Sequence, residues 1–310
     1  MGRPGTGLPF SVVNPPVPDG HWFVPTRDGT RIYVESFGDP AAPPLVLCDG
    51  MGCNGSFFAY LVPYFSRFMR VIRWNYRAHG QSEIPDDPSR MTVEDSIQDL
   101  FEVCDALDIQ KAVFLGYSMG VEIVLDAAHR APQRMIAQIL MNGSPGRLPD
   151  TFHGNTMARS FLPFFYAAVT RYTGPVARLW HAVIPTHLAY LVSSINEFDG
   201  RLVRWPDMRP YLAHLAAMDL QAGVNMLANA AEHDTRPFLG QIRVPSLVVG
   251  AYRDTFAPYF LSEEMYEALA DSELLGIRGA THSAPLEQPD LVNLGIEEYL
   301  VRRGFLAARP

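Results

Sequence analysis

Residues 112–120, with the sequence Ala-Val-Phe-Leu-Gly-Tyr-Ser-Met-Gly, decide the fold class, because they join a buried strand to a sharp turn. The apolar run stops at Gly116 and a helical pattern starts at Val121, so Ser118 lies on the turn between them. Gly116 and Gly120 permit a turn so tight that a Cβ atom at either position would collide with backbone. The spacing Gly-x-Ser-x-Gly predicts a strained serine whose hydroxyl is exposed as a nucleophile. A serine that only caps the helix is the alternative interpretation.

Two later loops offer the acid and the base that a nucleophilic serine needs. Residues 245–250 show the pattern of a buried strand, and Asp254 follows four residues after its terminal glycine. Residues 273–277 form a second strand pattern, which is followed by a loop that carries His282. The acid and the histidine follow the nucleophile in the order typical of one large group of serine hydrolases. We therefore predict a catalytic triad of Ser118, Asp254 and His282.

Three further segments make the chain resemble the α/β-hydrolase superfamily over nearly all of its length. Residues 75–82, Asn-Tyr-Arg-Ala-His-Gly-Gln-Ser, resemble the family's D-x-R-G-H-G-x-S segment, and residues 49–52, Asp-Gly-Met-Gly, resemble its H-G-x segment. His282 is followed by Glu287 and Pro289, as in the family's closing stretch. The resemblance implies an α/β fold with a mostly parallel eight-stranded sheet, which is flanked by helices and carries an inserted helical lid.

The order of the strand patterns predicts the domain boundaries. Strand patterns stop after residues 135–141 and resume only near residue 242, so the stretch between them is interpreted as the lid. The predicted parts are a flexible tail over residues 1–20, a hydrolase core over residues 21–145 and 233–310, and a helical lid over residues 146–232.

The predicted lid is poor in charge and rich in aromatic side chains. Some of these aromatics are expected only to attach the lid to the core, whereas together they favour an apolar pocket beside the nucleophile. The candidate pocket residues are Gly50, Tyr117, Phe161, Phe164, Phe165 and Trp180.

The resemblance also implies an oxyanion hole formed by the backbone N–H groups of Met51 and Met119. Three family positions differ in this chain, because Asp49 replaces the usual histidine, Asn75 the usual aspartate and Ala78 the usual glycine. A carboxylate beside an oxyanion hole would repel the developing negative charge. We therefore expect the Asp49 carboxylate to turn away and to accept hydrogen bonds from loop amides. Binding of a cationic substrate group by Asp49 is the alternative.

Other reactive side chains near the predicted site are interpreted as structural. His79 follows a strand and has no acid paired with it in sequence, so we expect it to bond loop carbonyls. Cys48 and Cys104 lie on apolar segments and are predicted core residues. Cys53 lies on the oxyanion loop, where a second nucleophile is the alternative to a structural thiol.

Composition limits the partners and the setting. The 310 residues carry a formal net charge of −8 without a cluster of lysine or arginine, which argues against a nucleic-acid partner. The chain starts without a secretory signal pattern, and histidine, proline and serine interrupt the uncharged stretch 179–196, so we expect no stable membrane insertion. Three cysteines without metal spacing predict a reduced, cytoplasmic setting, and no metal or cofactor is implied. The oligomeric state stays open.

Together these features predict a serine hydrolase that cleaves carboxylic esters or lactones with an apolar acyl or aryl group through an acyl-enzyme. The same fold and serine turn serve other reactions, so thioesterase, cofactor-free perhydrolase, carbon-carbon bond hydrolase and acyltransferase are alternatives. A ligand receptor that retains the triad is the alternative outside the enzymes. The expected partner is a small apolar ester.

Overall fold

The computed structural model describes residues 16–147, 164, 166–196 and 198–307, and its centre is one eight-stranded sheet. The strands are β1 (Gly20–Pro25), β2 (Arg31–Phe37), β3 (Pro44–Cys48), β4 (Arg70–Trp74), β5 (Ala112–Tyr117), β6 (Met135–Met141), β7 (Ser246–Ala251) and β8 (Ser272–Ile277). Their order across the sheet is β1-β2-β4-β3-β5-β6-β7-β8. Strand β2 runs antiparallel to both of its neighbours, and the remaining neighbouring pairs are parallel. The predicted mostly parallel sheet is confirmed.

Helices cover the sheet and occupy the long gap between β6 and β7. The helices that precede or follow sheet strands directly are α1 (Leu61–Phe65), α2 (Val93–Ala106), α3 (Met119–Arg130), α8 (Tyr259–Ala268), α9 (Ala284–Glu287) and α10 (Pro289–Arg302). The helices between β6 and β7 include α4 (Thr173–Val183), α5 (His187–Asn196), α6 (Trp205–Ala217) and α7 (Leu220–Ala230). Within the described part of the chain, no helix has both the length and the apolar character that a membrane span requires.

Two hydrophobic clusters lie on opposite faces of the sheet. Side chains alternate between the faces along a strand, so Val113 and Leu115 of β5 pack in one cluster and Phe114 packs in the other. Ile296 of α10 belongs to the first cluster and Leu100 of α2 to the second. Strands β5 and β7 are buried along their whole length, as expected for parallel strands covered on both sides. This packing gives the loops at the strand ends a rigid base.

The described residues cover only parts of the predicted tail and of the predicted lid. Residues 1–15 of the predicted tail lie outside the described residues, and Gly20 already belongs to β1. The chain leaves the core and returns to it side by side, because Gly146 and Asp234 form an antiparallel bridge. Helices α4 to α7 lie between these two points. The boundaries 146–232 and the role of a lid stay predictions.

Candidate active site

Ser118 occupies a strained turn between β5 and α3. Its φ of 54° and ψ of −119° lie in a region that L-residues rarely adopt. A Cβ atom at Gly116 would stand 2.3 Å from the carbonyl oxygen of Gly120, and one at Gly120 would stand 2.1 Å from that of Cys48. Close backbone contacts therefore require both glycines. The strained serine turn that the sequence predicts is present.

The structure brings Ser118, Asp254 and His282 into one hydrogen-bonded chain. His282 Nε2 lies 3.1 Å from Ser118 Oγ, and His282 Nδ1 lies 2.8 Å from Asp254 Oδ2. Asp254 follows β7 and His282 follows β8, so both come from the carboxyl ends of parallel strands. A carboxylate beside Nδ1 keeps a proton on that nitrogen and leaves Nε2 as an acceptor towards the serine hydroxyl.

Backbone and side-chain donors hold the Asp254 carboxylate in place. Its Oδ1 accepts hydrogen bonds from Phe256 N at 2.8 Å and Ala257 N at 2.9 Å. Asn142 Nδ2 donates to Asp254 Oδ2 at 3.1 Å and to the carbonyl oxygen of Thr281 at 3.0 Å. Asn142 therefore ties the acid to the loop that carries the histidine. The sequence places Asn142 directly after a strand but contains no signal for these two contacts.

Glu287 braces the loop that carries His282. Its Oε2 accepts a hydrogen bond from Thr281 N at 2.6 Å, and its Oε1 accepts one from Thr281 Oγ1 at 2.7 Å. Oε1 also accepts a hydrogen bond from Asp199 N at 2.7 Å, and Asp199 lies between β6 and β7. The glutamate of the closing sequence stretch thus connects the histidine loop to the segment that holds helices α4 to α7.

The Asp49 carboxylate bonds loop amides, as predicted. Its Oδ1 accepts a hydrogen bond from Gly50 N at 2.8 Å, and its Oδ2 accepts one from Gly55 N at 2.6 Å. Burial raises the pKa of Asp49 to about 6, because the charged form loses its hydration. Both oxygens are engaged in bracing residues 50–55, which form the loop after β3.

His79 braces the same loop from the other side. Its Nδ1 lies 2.8 Å from the carbonyl oxygen of Arg77, which requires a proton on Nδ1, and its Nε2 accepts a hydrogen bond from Gly52 N at 2.9 Å. Burial lowers the pKa of His79 to about 4, so the ring is neutral at pH 7. The predicted structural role is confirmed, although one of the two partners is an amide N–H where carbonyls were expected.

Met51 and Met119 both line the cavity beside Ser118. Met119 is the first residue of α3, so its N–H has no acceptor within the helix. The oxyanion hole formed by the N–H groups of Met51 and Met119 stays a prediction, and no competing acceptor for the Met51 N–H occurs among the described residues.

A cavity of about 470 Å³ opens at Ser118 and is lined mostly by apolar side chains. Three of the predicted pocket residues line it, namely Gly50, Tyr117 and Trp180. Other lining residues were not singled out from the sequence, because they come from separate elements that only the fold brings together; they include Phe57, Tyr211, Leu212, Leu227 and Phe256.

Of the three remaining pocket candidates, Phe164 alone belongs to the described residues. Phe164 does not line the cavity, and its side chain is 73 % exposed. Val169, five residues further on in a helical stretch, is fully buried, and residues five apart on an α-helix face different sides. Phe161 and Phe165 lie outside the described residues.

Cys53 lines the cavity but is not prepared as a nucleophile. Burial raises the pKa of its thiol well above the usual range, so the reactive thiolate is not populated at pH 7. Cys48 and Cys104 are buried in the core, as predicted. In the described ranges, no group of three or more His, Cys, Asp or Glu side chains is arranged to hold a metal ion.

Comparison with known proteins agrees with this architecture. A family model described as alpha/beta hydrolase fold matches residues 43–289. A putative carbamate hydrolase, RutD, of Agrobacterium fabrum is 26% identical over 274 residues, which cover 85% of this chain and 95% of that protein. A putative non-heme haloperoxidase of Mycobacterium phage D29 is 31% identical over 300 residues, which cover 93% of this chain and 99% of that protein. The crystal structure of the enol-lactonase from Burkholderia xenovorans LB400 matches with a TM-score of 0.71 at 24% identity, covering 90% of this chain and 99% of that one.

The fold and the site together define an enzyme class, the hydrolases whose reactive groups follow the strands of a mostly parallel sheet. The chain belongs to the α/β-hydrolase family.

Proposed function

We propose that this protein is a serine hydrolase that cleaves carboxylic esters or lactones carrying an apolar acyl or aryl group. The observation that carries the proposal is the hydrogen-bonded chain from Ser118 through His282 to Asp254 at a largely apolar cavity. A nucleophile, a base and an orienting acid are the groups that acyl transfer through serine requires. The apolar lining favours substrates that bury an acyl or aryl group.

The first half-reaction forms the acyl-enzyme. His282 Nε2 removes the hydroxyl proton of Ser118 as Oγ attacks the carbonyl carbon, and Asp254 stabilises the imidazolium that results. The N–H groups of Met51 and Met119 bond the negative oxygen of the tetrahedral intermediate, and each such donor contributes about 3 kcal/mol to transition-state stabilisation. His282 then gives its proton to the departing alcohol oxygen.

The second half-reaction releases the acid. His282 Nε2 removes a proton from water as the water oxygen attacks the acyl carbon, and it returns that proton to Ser118 Oγ as the acyl bond breaks. In a lactone the departing alcohol stays attached to the acyl group, so the product is a single hydroxy acid.

Labelling with a fluorophosphonate tests the nucleophile. The wild-type protein and Cys53→Ser should both react covalently and hydrolyse apolar esters. Ser118→Ala should lose the label and lower ester turnover by several orders of magnitude, because the nucleophile is absent while the hydrogen-bond donors remain. Circular dichroism checks that the variants stay folded. Labelling that persisted in Ser118→Ala would refute the assignment of Ser118 as the nucleophile.

A cofactor-free perhydrolase is the second candidate, because the relative that is 31% identical is described as a putative non-heme haloperoxidase. Hydrogen peroxide would then replace water as the attacking group on the acyl-enzyme, and the product would be a peracid. The two functions differ in the ratio of peracid to acid formed from one ester in the presence of hydrogen peroxide. We expect acid to dominate, and a product that was mostly peracid would favour the second candidate.

A further inference from the structure

Glu122 is a buried acidic side chain that the proposed reaction does not use. It lies on α3 one helical turn after Ser118, about 6 Å further along the helix axis. Only 3 % of the residue is exposed, and it lines the same cavity as Ser118 and His282. Its Oε2 is shielded from solvent, and no hydrogen-bond partner for it occurs among the described residues.

A carboxyl group in this position is costly for the fold. A buried polar atom without a hydrogen bond loses its hydration without compensation, which is why such groups are few in folded proteins. The surrounding cavity wall is largely apolar, with Met119, Leu227 and Ala230 among its members. A group of this kind inside a ligand cavity is best explained by a partner that arrives with the ligand.

The chemistry of Glu122 indicates which partner it suits. Burial raises the pKa of Glu122 well above its usual range, while Arg236 lowers it and Asp234 raises it to smaller extents. Arg236 does not pair with Glu122, since its guanidinium bonds Glu264 Oε1 at 2.6 Å. Burial therefore favours the neutral carboxylic acid form of Glu122, which has one O–H donor and a carbonyl acceptor.

We propose that Glu122 determines substrate specificity by hydrogen-bonding a neutral carbonyl or hydroxyl group of the substrate, several bonds away from the scissile carbonyl. The substrate class is then narrower than apolar esters, because one polar group interrupts an otherwise apolar acyl or alcohol part. This inference rests on the proposed ester hydrolysis at Ser118. An ammonium group is not the preferred partner, because it would require the ionised carboxylate that burial disfavours.

Two matched substrate pairs and two variants test the proposal. The first pair is p-nitrophenyl 5-oxohexanoate and p-nitrophenyl hexanoate, and the second is 4-acetylphenyl hexanoate and 4-ethylphenyl hexanoate. Glu122→Gln retains a donor and an acceptor of similar shape, whereas Glu122→Met is similar in length but apolar. For one of the two pairs, the kcat/KM ratio of the ketone to the plain ester should fall about threefold to tenfold in Glu122→Met and be largely retained in Glu122→Gln.

Thermal unfolding separates this role from a structural one. Replacement of an unpartnered buried carboxyl by methionine should leave Tm equal to or above that of the wild type. A lower Tm together with unchanged substrate ratios would overturn the proposal and make Glu122 a structural residue. A preference for hexanoylcholine that both substitutions abolish would overturn it in favour of an ionised Glu122 that binds cations.

A failure of the proposal for Glu122 can be distinguished from a failure of the proposed ester hydrolysis at Ser118. Turnover of the plain esters by the wild type tests ester hydrolysis, and the ratio within a pair tests Glu122. If no ester is hydrolysed, the ratio of dissociation constants for the intact esters still tests Glu122, measured with Ser118→Ala and with Ser118→Ala combined with Glu122→Met. An unchanged ratio in that comparison would overturn the inference as well.

Discussion

Asp254 orients His282 through a single hydrogen bond of 2.8 Å. Asp254→Asn keeps the shape but permits an amide donor to face Nδ1, which moves the ring proton to Nε2 and removes the base. We expect kcat to fall by about 10⁴ while KM changes little. Asp234→Asn is the matched control, because Asp234 pairs with Arg236 outside the triad. A loss below tenfold in Asp254→Asn would indicate that another carboxylate orients His282.

Asn142 is expected to position both Asp254 and the loop that carries His282. Its φ of 48° is left-handed, so Asn142→Gly removes the side chain without straining the backbone. The variant loses the hydrogen bonds to Asp254 and Thr281. We expect kcat to fall by about tenfold to a hundredfold with little change in KM, because the acid and the histidine loop lose their common tie. A rise in KM at constant kcat would indicate a role in substrate binding instead.

The residues proposed to react can be recognised from the sequence more readily than the residues that position them. Ser118, Asp254 and His282 are each recognisable within a short local pattern, because a strand end and a loop are adjacent in sequence. The contacts of Asn142 and the free carboxyl of Glu122 depend on segments far apart in the chain. Local patterns contain no information on such contacts, so only the folded structure reveals them.

The loop after β3 is braced by a buried carboxyl group, that of Asp49, whose titration makes the stability of the protein depend on pH. Asp49 has an ordinary pKa of 3.8 that burial raises to about 6 in the folded protein. Because the folded pKa is the higher one, stability that is present below pH 4 is lost as the pH rises through 6. Asp49→Asn removes this titration. We expect the free energy of unfolding of the wild type, relative to Asp49→Asn, to fall by about 2 kcal/mol from pH 4 to pH 7.

Urea unfolding of both proteins at several pH values measures that difference. The difference should be steepest between pH 4 and pH 6 and should level off above pH 7, where the folded carboxyl is ionised. A difference that stayed constant with pH would show that Asp49 titrates normally and is better hydrated than the structure indicates.

The sequence predicts which segments form the strands of the sheet. It does not predict which faces of the helices between β6 and β7 contact the core. Apolar runs bounded by turns indicate buried strands, and the strand before Ser118 and the two before Asp254 and His282 lie where these runs predict. Aromatic residues at helical spacing do not show which face meets the core. The exposed Phe164 illustrates this ambiguity, and Trp180, which lines the cavity, has the same sequence signature.

At the scale of the whole molecule, the cavity joins the core to the helices between β6 and β7. Its wall combines Tyr117 of β5 with Trp180 of α4 and Leu212 of α6. Substrate selection by apolar burial should therefore depend on the fit between these two parts. We expect kcat/KM to rise with acyl length by up to about fourfold per added CH₂, then to level off and decline when the cavity is full.

Esters from acetyl to decanoyl at low and high ionic strength measure this profile. Trp180→Ala enlarges the cavity on the side opposite the core and should move the maximum of kcat/KM to a longer acyl chain. Leu179→Ala, at an exposed neighbouring position, should leave that maximum at the same acyl length. A flat profile with strong salt dependence would contradict apolar selection and favour a charged group as the main determinant.

The carboxylate of Glu287 couples two parts of the molecule, because it accepts hydrogen bonds from the segment between β6 and β7 and from the loop that carries His282. It accepts hydrogen bonds from both Thr281 groups and from Asp199 N. A displacement of Asp199 that breaks its bond also loosens the anchor of Thr281, the residue before His282. Glu287 thus connects the segment between β6 and β7 to the loop that carries His282, the proposed base. If the proposed lid moves away from the cavity and breaks the bond to Asp199, we expect the loop before His282 to lose one of its anchors, so that the proposed base is less well aligned while the cavity is open.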